Sequence, residues 1–229
     1  MSLLRKIFGP SKDEIWKQLS QEIGGEFVEG GFWRGDSRVE AQIKNWTVTL
    51  DTFTVSTGKS SVTYTRIRAP YVNRNGFRFK IYRKSFLSGL GKMLGMQDVE
   101  VGGPKFERLE PLFGVPSYLD EQIIESGYPE FDRDFIVKSN EHSQVRLLFK
   151  NWKLRELIES QPDIFFQVKD DEGWFGKNFP EGVDELYFQV VGIIKDVERL
   201  KALYELFAET LNTLCHIGAA YEDDPNLKL

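Results

Sequence analysis

Period-two alternation limits this chain more than any other feature. In SRVEAQIKNW, Val39, Ala41 and Ile43 alternate with Arg38, Glu40, Gln42 and Lys44. That is the pattern of a strand with one face against a core and the other against water. WTVTLDTFTV continues it through Trp46, Val48 and Leu50, and SVTYTRIRAPY and GFRFKIYRK are two more β-like segments. The stretches Ser-Thr-Gly-Lys (56–59) and Asn73-Arg74-Asn75-Gly76 separate them as turns. The first half therefore predicts an antiparallel meander, with the last two strands paired through Asn75-Gly76.

Helical periods flank this β region. Residues 11–24 predict a first helix, with Ser11 as cap, Glu14 completing a capping box, Ile15, Trp16, Leu19 and Ile23 on one face, and Gly24-Gly25 as the stop. Residues 85–96 have an amphipathic pattern weakened by three glycines. Residues 97–130 read as a linker or irregular crossover with a short helix at 117–126. The second half predicts a strand in FDRDFIVKSN and helical residues 141–159 broken near Asn151. It continues with strands in PDIFFQVKDD and DELYFQVVGII and a long helix over 196–217. The expected class is α+β, with antiparallel sheet or sheets and flanking helices in two helix-on-sheet halves. The predicted boundaries are 1–96, 97–130 and 131–229, and packing of all three into one domain stays open.

Gly58-Lys59-Ser60 ends like a phosphate-binding loop. Such a loop needs an earlier glycine at position 53, which is Phe53, and a helix afterwards, where a β-like segment stands. Gly58 is better explained as a hairpin residue. The two histidines give no catalytic pair: His216 follows Cys215 on a helix, where neighbours point about 100° apart, and His142 sits at a helix start. With one cysteine, Cys215, no intramolecular disulfide forms. No elbow serine, zinc helix or paired-cysteine motif is present, and the chain calls for no cofactor. A carboxylate or metal-dependent enzyme using Asp132, Asp134 or Asp170 is an alternative, since acidic pairs leave no local signature.

Charge is unevenly spread. No acidic residue lies between Asp51 and Asp98, while that stretch holds nine Lys and Arg; against a whole-chain −5, the remainder carries −14. Strand alternation puts Phe77, Phe79 and Ile81 on one face and Arg78, Lys80 and Tyr82 on the other, with Tyr64, Arg66 and Arg68 also sharing a face. The expected binding residues are Arg66, Arg68, Arg78, Lys80, Arg83 and Lys84. In one reading the acidic half or a second copy of the chain, as a homodimer, covers this face. In another it meets an anionic membrane surface or an acidic protein. In a third it binds single-stranded nucleic acid, with Tyr64, Tyr82 or Phe86 as stacking platforms. A second candidate contact is the aromatic loop GWFGKNFPEG with Trp174, Phe175 and Phe179. Without a signal peptide or an apolar run long enough to span a bilayer, the expected localisation is cytoplasmic, peripheral to the membrane if the basic face docks there.

FDRDFIVKSNEHSQVRLLF, through Phe131, Phe135, Val137, Ser139, Leu147 and Leu148, resembles a segment of bacterial proteins of unknown function. The resemblance extends over residues 131–219. It implies a strand, a polar cap, a short helix, a strand pair and a final helix, and it brings no catalytic residues. The sequence thus points to a non-catalytic binding or interaction module with a basic sheet face.

Overall fold

Ser11 accepts a hydrogen bond from Glu14 N, and Glu14 accepts one from Ser11 N, so the capping box starts α1 (Lys12–Ile23) where expected. Gly24 ends the helix in the left-handed conformation at φ 68°. The computed structural model describes residues 10–31, 36–56, 61–85, 122–170, 179–227 and 229. After α1 come β1 (Glu26–Val28), β2 (Arg38–Ile43), β3 (Trp46–Ser56), β4 (Ser61–Val72), β5 (Phe79–Arg83) and β6 (Gln122–Ile124). The order continues with α2 (Pro129–Asp134), β7 (Phe135–Ser139), α3 (His142–Phe149), α4 (Trp152–Glu159), β8 (Phe165–Lys169), β9 (Val183–Val191) and α5 (Val197–His216).

The described strands form one nine-stranded antiparallel sheet in the order β1-β2-β3-β4-β9-β8-β5-β7-β6. The class is α+β, as the alternation implied. The strand order corrects one expectation: β4 and β5 do not pair through Asn75-Gly76. The β8–β9 pair from the second half lies between them. The reason is local. The Asn73 side chain accepts from Asn75 N and Gly76 N and donates to Phe77 O and Asp184, while Asn73 N donates to Gly182 O. These bonds close a turn that hands the chain on to another part of the sheet rather than folding it back.

Two smaller expectations also change. Residues 131–134 of FDRDF are helical, in α2, because Pro129 sits in the first turn, where its missing N–H costs nothing. The helix read over 117–126 is a strand at 122–124, paired with β7; residues 117–121 lie outside the described residues. The break near Asn151 is present: its side chain caps α4 by accepting from Lys153 N and Leu154 N.

The described helices share one side of the sheet. Ile15, Trp16 and Leu19 of α1, Val145, Leu148 and Phe149 of α3, Leu154 and Ile158 of α4, and Leu200, Leu203, Leu206, Phe207, Leu211 and Leu214 of α5 form one buried cluster. They meet there the inward side chains of the strands, among them Val48, Leu50, Ile67, Phe79, Ile81, Phe166 and Phe188. Each large side chain so buried stabilises the fold by about 1.5–3 kcal/mol before entropy is charged. Two of the buried polar tips find partners here: Trp16 Nε1 donates to Ile194 O at 3.2 Å, and Tyr204 Oη donates to Val39 O at 3.1 Å.

Candidate anion-binding site

Strand parity sends the other half of each strand to the opposite side, where no described helix packs. Register lines these residues up in rows across the sheet. One row runs Asp51, Arg66, Gln189, Phe165, Tyr82, Ile136. The next runs Glu40, Thr49, Arg68, Tyr187, Gln167, Lys80, Lys138, Ile123. A third carries Pro70, Glu185 and Lys169. Neighbours within a row have β-carbons about 4.5–5.5 Å apart. Alternation alone reads this as the wet face. It is instead largely buried: Lys80, Gln167, Gln189 and Tyr82 are all at 0% exposure.

Ion pairs organise its centre. Arg66 donates to Asp51 from Nε at 2.6 Å and from Nη2 at 2.9 Å. Arg68 Nη2 donates to Asp51 Oδ2 at 2.8 Å, and its Nη1 lies 3.8 Å from Glu185 Oε1. Burial works most strongly against the Arg66 charge, but the Asp51 hydrogen bond and charge outweigh it and the pKa is raised. Burial raises the Glu185 carboxyl, against the pull of Arg68, Lys169 and Arg66. Lys169 Nζ sits 3.3 Å over the Tyr187 ring. Burial lowers its pKa to about 8; Glu185 opposes the shift, and Arg66, Arg68 and Lys80 add to it. Tyr187 Oη donates to Gln189 at 2.9 Å, and burial pushes its pKa well up.

The six basic residues expected from sequence do not act as one patch. Arg66, Arg68 and Lys80 come together on this face with Lys169, Glu185, Gln167 and Tyr187. Arg78 Nη1 donates to Asp170 at 3.0 Å. Arg83 turns to the helical side, donating to Glu159 O and Gln161 O at the end of α4 with its guanidinium 4.4 Å from the Phe135 ring. Lys84 is exposed and donates to Asp132 O. Both halves of the chain thus supply acids to the basic stretch, Asp51 from one and Glu185 and Asp170 from the other.

Two of the rings expected as stacking platforms already stack within the protein. Tyr64 lies 5.0 Å from Phe53, and Tyr82 lies 6.0 Å from Phe165. Phe86, Trp174, Phe175 and the Gly58-Lys59-Ser60 stretch lie outside the described residues, and Phe179 is partly buried. The chain enters strand β4 directly after Ser60, where a phosphate-binding loop would need a helix. Asp132 accepts from Ser126 N, and Asp134 pairs with Arg133 at 3.3 Å. His142 borders a cleft with Gln122, Glu125, Ser139 and Asn140, and its Nε2 accepts from Arg146. Among the described residues there is no group of three or more His, Cys, Asp or Glu placed to hold a metal ion. None of the described helices is long and apolar enough to cross a membrane.

Sequence reasoning alone misses Lys169, Gln167, Glu185 and Tyr187. They lie in FFQVK and VDELYFQVV, whose apolar residues dominate, but the polar set Glu185, Tyr187, Gln189 recurs with period two.

No family model matches the chain, and no curated protein matches it significantly. Among solved structures, the mycobacterial trehalose monomycolate transport factor A, TtfA, is similar at 9% identity and a TM-score of 0.48, over 89% of this chain and 94% of that chain.

Proposed function

We propose that this chain is a non-catalytic binding module that takes an anionic group on the polar face of its sheet. The observation that supports this most is Lys169. Its ammonium lies on the Tyr187 ring beside two arginines whose shared carboxylate, Asp51, already accepts three hydrogen bonds from them. Three cations, Arg66, Arg68 and Lys169, meet two carboxylates, Asp51 and Glu185, in a poorly hydrated place. An added anion there gains from a positive field that water screens weakly.

Such a group can come free in solution, or be carried by an anionic membrane surface or an acidic protein. The Arg66 and Arg68 side chains are only 25% and 16% exposed. A flat charged surface therefore gains little from them, and a single extended anionic group fits better.

Lys169→Met tests this through thermal unfolding. The folded pKa of Lys169, about 8, lies below its ordinary 10.5. Between those values the unfolded chain binds more protons, so this group makes stability rise with pH across the window, and its penalty is complete below about pH 8. At pH 7 the variant should gain about 1–2 kcal/mol, discounted for the water that still reaches Lys169, or roughly 2–8 °C in Tm. Wild-type protein should gain Tm from phosphate or citrate beyond sodium chloride at equal ionic strength, and Lys169→Met should lose most of that gain. An equal anion response in both proteins counts against the reading.

A further inference from the structure

Deep in the same face, some polar atoms have no hydrogen-bond partner. Gln167 is fully buried, and neither its Nε2 nor its Oε1 is bonded. Arg68 Nε and Glu185 Oε1 are buried and likewise without a hydrogen bond. Register places Tyr187 between Arg68 and Gln167 in one row, with Glu185 in the adjoining row of the same strand. Each such atom destabilises the fold if nothing fills its need. The set is mixed: Arg68 Nε and Gln167 Nε2 are donors seeking acceptors, and Gln167 Oε1 and Glu185 Oε1 are acceptors seeking donors.

A plain carboxylate or sulfate offers acceptors only. It would satisfy Arg68 and Gln167 Nε2 while leaving Gln167 Oε1 dry and pressing a second anion against Glu185. An anion with its own hydroxyl answers both halves. Its charged oxygens face Arg68, Gln167 Nε2 and the cations, and its O–H donates to Gln167 Oε1 or Glu185 Oε1. We infer that the polar face selects a hydroxyl-bearing anion, with Gln167 and Glu185 reading the hydroxyl and Arg68 reading the charge. This rests on the proposed anion-binding role and narrows it. Two sources share the chemistry: free hydrogen phosphate, and a lipid headgroup that joins a phosphate to hydroxyls.

Titration calorimetry of the full chain at pH 7 with inorganic phosphate, which keeps a proton there, and with sulfate, which keeps none, tests this. Phosphate should bind at least about tenfold more tightly than sulfate, the worth of one satisfied buried acceptor. Gln167→Met and Glu185→Met each fill the same space without a hydrogen-bonding oxygen. Folded by circular dichroism, the variant that removes the hydroxyl's acceptor should lose most of the preference for phosphate. Sedimentation with phosphatidylglycerol and with phosphatidylcholine vesicles assigns the source. Phosphate binding without sedimentation places the hydroxyl on a soluble anion, whereas sedimentation with phosphatidylglycerol alone, competed by phosphate, places it on a headgroup. Equal affinity for phosphate and sulfate, or an undiminished preference in both variants, overturns the selectivity and leaves the anion site standing. Binding of neither ion overturns both.

Discussion

Asp51→Ala should cost about 3 kcal/mol, one of the two largest losses expected from a single substitution in this protein. Asp51 accepts three hydrogen bonds, two from Arg66 and one from Arg68, and its side chain is 12% exposed. Removing it leaves two guanidinium groups close together with much of their hydration already lost. Breaking a buried pair from one side costs about 3–5 kcal/mol, and the residual exposure of the arginines puts this case at the lower end. The Arg38–Glu40 pair on the same face is the control. It is shorter than most at 2.6 Å, but its side chains are 31% and 27% exposed, so Glu40→Ala should cost under about 1 kcal/mol. Urea unfolding of both variants measures the difference. A loss below about 1 kcal/mol for Asp51→Ala would mean that water reaches the arginines freely and that the face is not a low-dielectric site.

Phe166→Ala should cost about as much or more, roughly 3–5 kcal/mol. Phe166 is fully buried on β8, with ring centroids 5.7 Å from Phe79 and 5.5 Å from Phe207. It joins β5 to α5 through β8, so its loss opens a cavity where strands and helix meet. For a chain of this size that is a fall of roughly 6–20 °C in Tm. Phe166→Leu, which keeps more of the volume, should recover more than half of it. Similar losses for Ala and Leu would show that ring geometry rather than filled volume holds this part of the core.

The layers are legible in residue spacing, but the strand order is not. Val39 and Ala41, or Phe79 and Ile81, face the core as alternation requires, because the side-chain period of two is a property of each strand alone. Pairing partners are set by long-range contacts. Asn75-Gly76 has the composition of a hairpin turn, yet Asn73 spends its side chain on that turn and on Asp184, and β4 finds β9 instead. The second side of the sheet is harder still. Arg66 and Arg68 are visible in the sequence as a basic pair, but their counter-charge Asp51 stands out there only as the boundary of the acid-free stretch. Glu185 and Lys169 sit inside strands that read as apolar. Polar residues at period two predict water by default, and nothing local to Lys80 or Gln167 announces that they end up fully buried.

The most direct test of an anion on this face is to follow the Lys169 ε-carbon by carbon-13 NMR through a pH titration, assigned with Lys169→Met, with and without inorganic phosphate at constant ionic strength. Free protein should titrate near 8, well below the ordinary 10.5. A bound anion favours the ammonium and should raise that midpoint by about one unit or more. A midpoint near 10.5 without phosphate, or one that saturating phosphate leaves where it was, would contradict the account.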